Sequence, residues 1–210
     1  MSVKNFFSQS KKLFTADDPA FRIGADYREN WSRYRKSGTK IEVGGHIGTY
    51  PSPSVEPFAF HSDKEINIAS VFFKASLKKV QILFPNALLR VIYIPTPLMV
   101  YRLKSESVKL YDRIRTINSE FAGPLTNFTR TYLYNQSNRT CSAIETASIS
   151  VGAKFADSRE YLRQTSSIRG YLHGPVDPAH FNWEGYQAIG RFISEMLNNT
   201  TTVSCATISD

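Results

Sequence analysis

The chain is poor in the residues that staple, ligate or span. Among 210 residues it has two Cys, three Met and two Trp. Cys141 and Cys205 lie far apart in sequence, and neither has a second ligand at metal spacing, so no zinc-finger-like site is offered. One disulfide and two free thiols stay equally open. The most apolar stretch, Val80 to Tyr101, is broken by Pro85, Arg90, Pro95 and Pro97, which argues against a transmembrane helix. Met1 to Leu13 is short, charged and Ser-rich, with no apolar h-region, so it does not read as a signal peptide. Gly and Pro together are 21 of 210 residues, too few for a collagen-like or low-complexity chain. No Gly-Lys-[Ser/Thr] loop, zinc-finger spacing or aromatic RNP-like strand is present. No nucleic acid partner and no cofactor is therefore expected.

What is there describes a globular domain. Apolar residues make up 41%, aromatic 13% and charged 21%. A chain of this length buries a core without needing a disulfide or metal. The net charge is +8, and residues 1–40 carry +5 of it, from nine Lys/Arg and four Asp/Glu. A basic segment can meet an anionic partner, although a solvated basic surface is the plainer reading. Asn-x-Ser/Thr triplets stand at Asn30, Asn127, Asn135, Asn138, Asn198 and Asn199. They matter only on a glycosylating secretory route.

Local pattern divides the chain at about residue 65. Residues 1–65 read as irregular and basic, with turn signals at Asp17-Asp18-Pro19, Gly44-Gly45 and Pro51-Ser52-Pro53, and one short helix near 26–36. From 65 to 84, Ala69, Phe72, Phe73, Leu77, Val80, Leu83 and Phe84 follow helical spacing and predict an amphipathic helix facing a core. Ala87 to Ile94 is a continuous branched apolar run, the signature of a central parallel strand. A helix is predicted over 105–121 from Leu110, Ile114, Ile117 and Phe121. Loop is predicted over 123–142, with a short strand near Thr131–Tyr134, then helix over 142–151. Ala153 to Phe155 reads as a strand ending at Asp157, and 158–166 as a short helix. The clearest helix carries Tyr186, Ile189, Phe192, Ile193, Met196 and Leu197 on one stripe, capped by Asn182. Residues 200–210 read as a polar, fraying tail. The order of helices and strands predicts an α/β layered domain.

One segment carries chemistry: Gly174-Pro-Val-Asp177-Pro-Ala-His180-Phe-Asn182-Trp-Glu-Gly185-Tyr186. Asp177 and His180 are three apart, in a loop just before a capped helix. A loop can aim both side chains the same way. The carboxylate then accepts from one imidazole nitrogen, and the other nitrogen can take a proton from a hydroxyl. His46, His61 and His173 are scattered and suggest no metal site.

This block, followed by its amphipathic helix, resembles the last motif of the SGNH (GDSL-type) hydrolases. Leu88–Ile94 running into Pro95-Thr96-Pro97 and Tyr101 is similar to that family, as are Phe84-Pro85-Asn86-Ala87 before it and Phe155-Ala156-Asp157 after it. The resemblance covers about 66–197. It implies a flavodoxin-like three-layer α/β/α fold and ester hydrolysis or O-acyl transfer through a serine acyl-enzyme. The substrate class is a small-molecule or carbohydrate ester. His180 is then the general base, Asp177 its orienting carboxylate, and Asn182, Gly185 and Tyr186 supports of the loop and helix start.

The chain departs from that family at its front. The family's nucleophile sits in Gly-Asp-Ser after the first strand, and no Gly-Asp-Ser occurs here. The nearest string, Ala156-Asp157-Ser158, stands too close to Asp177 for a first strand, and Ser158 reads as a helix N-cap. Gly24-Ala25-Asp26-Tyr27 is only faintly like the oxyanion block, and no residue is carried over from it. Three explanations stay open: a C-terminal portion of a longer SGNH protein, a degenerate relative, or an accidental likeness. The domain reading is a basic segment over 1–65, an SGNH-like portion over 66–199 that is incomplete at its N-terminal side, and a tail over 200–210. This chain alone is expected to be inactive, since a base without a nucleophile has nothing to activate. The alternative is a non-catalytic binding module with a basic segment for an anionic partner.

Overall fold

A computed structural model describes residues 38–54, 56–111, 125–174, 180–198 and 202–208. The expected helix near 26–36 and Asp177 lie outside them.

The described chain opens on a β-hairpin, which corrects the irregular reading of 1–65 at these residues. Strands β1 (Thr39–Val43) and β2 (His46–Tyr50) pair antiparallel across Gly44-Gly45. Both glycines have positive φ, 57° and 73°, the conformation a two-residue hairpin turn needs. Thr39, Ile41 and Val43 point inward, while Lys40 points to water. This two-residue alternation was the strand signal.

Helix α1 (Asp63–Leu83) forms where its spacing predicts. A capping box starts it: Ser62 Oγ accepts from Glu65 N–H, and the Glu65 carboxylate accepts from Ser62 N–H. Its expected core stripe needs correction. Leu77 is the one fully buried side chain, and Phe72, Val80, Leu83 and Phe84 are exposed. The helix has two apolar faces. Leu77 lies on the covered one, while Ile68, Val71, Phe72, Ile82 and Leu83 form a second stripe that faces solvent.

Strand β3 (Arg90–Tyr93) follows, and short β4 (Arg102–Leu103) pairs with β1. Next comes β5 (Ser107–Tyr111), paired antiparallel with β6 (Leu125–Thr129). The helix expected over 105–121 is therefore strand over 107–111. Val108 and Leu110 alternate with exposed neighbours, so both reach the core with period two. Ile114, Ile117 and Phe121 lie outside the described residues. Helix α2 (Arg130–Ile149) replaces the expected loop, and the Thr129 hydroxyl caps it by accepting from Tyr132 N–H.

Strand β7 (Lys154–Asp157) pairs parallel with β3, Val91 opposite Phe155. The parallel pairing agrees with the sequence, but the central position does not. Among the described residues β3 pairs with β7 alone, and its four residues are only half-buried. The far edge of β7 takes the C-terminal segment: Asp157 N–H donates to Val203 C=O, and Val203 N–H to Phe155 C=O. Helices α3 (Arg159–Arg169) and α4 (Trp183–Asn198) complete the chain.

Residues 202–208 do not fray. Cys205 is disulfide-bonded to Cys141 of α2, and Ile208 is buried. Arg159, itself fully buried, forms an ion pair with Asp157. Its guanidinium also donates to Ser137 Oγ, Asn138 Oδ1 and Ala206 C=O. Asp157 accepts in turn from Arg159 N–H and Ala206 N–H. A buried pair satisfied this fully fixes strand, helix and tail to one another.

The result is a mixed α/β protein. α4 packs Phe192 and Met196 on the Ile92/Ala156 side of the parallel pair. Tyr93 and Asp157 alternate to the other side, where α2 lies. The hairpin and the Leu98–Leu103 segment share one hydrophobic core with Leu133, Leu162, Leu172 and Ala188.

Candidate active-site loop

The Asp/His segment is held together at its two described ends. His173 and Phe181 form an isolated antiparallel bridge, and Gly174 N–H donates to His180 C=O at 3.0 Å. Gly174 and His180, which flank residues 175–179, are thus held side by side. His180 is exposed. Asp177 lies within residues 175–179, outside the described set, so no distance joins the pair.

Asn182 locks the return. Its Oδ1 accepts from Gly185 N–H at 2.9 Å, which makes it the N-cap of α4, as the sequence predicts. Its Nδ2 donates to Tyr171 C=O, and its backbone N–H to Leu172 C=O. Gly185 is required by close approach. A Cβ there would collide with the Leu172 carbonyl oxygen and the Phe181 ring. Tyr186 is exposed and meets Phe181 edge-on.

Next to Gly174 stands His173, which sequence reading left unassigned. It is 2% exposed and ringed by Tyr50, Tyr101 and Tyr171. The Tyr101 hydroxyl accepts from Leu172 N–H at 2.7 Å and lies 2.8 Å from His173 Nδ1. The hydroxyl and the ring nitrogen share one proton between them, its side set by the His173 tautomer. Burial pushes His173 down to about 4, so it is a neutral core residue and not a base for chemistry. Burial pushes the Tyr101 phenol above its ordinary range. This pair matters for position: β3 leaves its carboxyl end through Pro97–Val100 to Tyr101, which supports the Leu172–His173 segment.

Ser158 is not a nucleophile. It is fully buried, and its hydroxyl donates to Tyr93 C=O at 2.7 Å. It does stand at the N-cap position of α3, as expected, but the capping oxygen is Asp157 Oδ1, which accepts from Arg159 N–H. Cys141, Cys205 and Asp157 bring ligand-type atoms together, but both sulfurs are spent in the disulfide.

A second buried group escaped sequence reading. Glu56 is 1% exposed, and among the described residues its Oε2 has no hydrogen-bond partner. Burial pushes its carboxyl up to about 8, against the opposing pull of the Thr96 side chain, so it stays protonated at neutral pH. Nothing in the flanking Ser-Val-Glu-Pro string signals burial. An open groove of about 430 Å³ between α1 and α2, lined by Asp63, Ile66, Asn138 and Arg139 among others, includes no loop residue.

No protein-family model, no curated protein and no solved structure matches the chain.

Proposed function

We propose that this chain is the C-terminal portion of an SGNH-type serine ester hydrolase or O-acyl transferase. His180 is the general base and Asp177 the carboxylate that orients it. The placement of His180 supports the reading: it is exposed just before the capped start of α4, and Gly174 N–H holds its carbonyl beside the Leu172–His173 segment that Tyr101 supports. Open α/β sheets bind ligands outside the carboxyl ends of their strands. In this role His180 takes the proton of a serine hydroxyl as it attacks an ester carbonyl, then returns it to the leaving alcohol.

Two further features support an incomplete doubly wound fold. The parallel pair has α4 on one side and α2 on the other, a three-layer arrangement in miniature. The edge of β3 that carries no strand among the described residues and the apolar stripe of α1 at Ile68, Val71, Phe72, Ile82 and Leu83 are what a further strand and helix would cover. The nucleophile and oxyanion donors then belong to sequence encoded upstream of Met1. The substrate is an ester, with an O-acylated carbohydrate as one such class.

The test is p-nitrophenyl acetate turnover by the gene product translated from an upstream in-frame start. Loss of turnover by about 10³-fold or more in His180→Ala, with the fold retained by circular dichroism, is the expected result. Unchanged turnover in that variant, or no upstream frame, overturns the assignment.

A further inference from the structure

We infer that Asn127 and Asn135 are N-glycosylation acceptors and that the chain matures in an oxidising, glycosylating secretory compartment. The inference stands apart from the hydrolase reading. Its first support is the Cys141–Cys205 bond. Cys141 is fully buried on α2, and around Cys205 the tail is held by Glu145, Asp157, Asn138 and Arg159. A bond set into such a network is structural and not a reactive redox pair. Structural disulfides persist where the environment is oxidising and are rare in reducing cytosol.

The second support is composition. Six of eleven asparagines have Ser or Thr two residues later. Ser and Thr are 38 of 210 residues, so about two of the eleven would be followed this way by chance. The excess, in which the Asn198 and Asn199 triplets overlap, favours a glycosylating route over an oxidising but non-glycosylating one.

The third support is geometry, which separates the three triplets at and around α2. Asn127 is exposed on β6, and Asn135 is exposed on α2. Asn138, one helical turn further on, is committed. Its Nδ2 donates to Ile208 C=O, and its Oδ1 accepts from Arg159 and from Ile208 N–H. A glycan on that nitrogen displaces the C-terminal segment, so Asn138 stays bare although its Asn-Arg-Thr triplet is as good an acceptor by sequence.

The transfer balances without a redox partner. The Asn side-chain nitrogen attacks the anomeric carbon of a lipid-pyrophosphate-linked oligosaccharide. The new C–N bond replaces the C–O bond to phosphate, lipid pyrophosphate leaves, and the nitrogen gives up one proton to a base. Entry to this route takes a leader on the gene product.

The test is peptide mass spectrometry on the protein isolated from the cells that make it, after peptide-N-glycosidase treatment in ¹⁸O water. Expected are ¹⁸O-labelled aspartates at positions 127 and 135, an unconverted Asn138, and Cys141 and Cys205 that resist alkylation until reduced. Asn127→Gln and Asn135→Gln each remove one glycan from the intact mass, and both variants fold because the side chains face solvent. Bare Asn127 and Asn135, a glycan on Asn138, or cysteines alkylated without reduction overturn the inference.

Discussion

Replacing Glu56 by Gln should remove most of the pH dependence of stability above neutrality. Glu56 titrates near 8 in the fold, against 4.5 when exposed. Between those values the native state holds a proton that the unfolded chain has released, so unfolding free energy falls as pH rises. His173 works in the opposite direction. It titrates near 4 in the fold, against 6.5 when exposed. Below 6.5 the unfolded chain binds a proton that the native state refuses, so stability falls as pH drops toward 4. From 4.5 to 6.5 the two slopes oppose and nearly cancel. From 6.5 to 8 Glu56 acts alone, and 1.5 pH units of that slope amount to about 2 kcal/mol. Urea unfolding at pH 5.5, 6.5 and 8.5, followed by circular dichroism, reads this directly. With slopes of about 1–3 kcal/mol/M, the wild-type midpoint should fall by about 1 M between pH 6.5 and 8.5. Glu56→Gln should hold its midpoint over that interval, and below 6.5 it should uncover the acid-side loss due to His173. An equal midpoint drop in both proteins refutes the reasoning.

Three further outcomes follow from the same contacts. Arg159→Met leaves the Asp157 charge buried without its partner and should cost about 3–5 kcal/mol. Hydrogen exchange at Val203 and Ala206 should rise with it, while Asp157→Asn added to Arg159→Met should recover part of the loss. Cys141→Ser with Cys205→Ser opens a loop of 64 residues and should cost about 4 kcal/mol in thermal or urea unfolding. Asn182→Ala loses the cap of α4 and should cost about 1 kcal/mol, with faster exchange at Gly185 N–H. A cost within error of zero for any of the three contradicts the contact it is drawn from.

Elements with an apolar period on a single face were legible. α4 shows this best: Ile189, Phe192 and Met196 of the expected stripe are buried, Tyr186 and Leu197 at its ends are exposed, and Asn182 caps the helix as its position suggested. α2 was legible only in its second half, where helix is expected over 142–151. In its first half the inner face mixes Leu133, Tyr134 and Cys141 with buried Gln136 and Ser137, which bond to the His61 carbonyl and to Arg159. Polar residues at inward positions break the apolar period there. β5 was misread because Leu110 also fits a helical stripe with Ile114 and Ile117, and two inward residues at period two are a weak signal. The tail was missed because its order comes from partners far away in sequence, Cys141 and Asp157, which local pattern cannot show. For the same reason the support of His173 and Leu172 by Tyr101 was not readable in the sequence.

The central claim is that His180 serves a serine carried by another part of the gene product. A fluorophosphonate probe, mapped by tandem mass spectrometry on the product translated from the upstream start, tests this most directly. The account expects one adduct on a serine upstream of Met1, lost in His180→Ala, and none on Ser158, whose hydroxyl is buried against the Tyr93 carbonyl. An adduct on Ser158, or one that forms equally fast without His180, contradicts it.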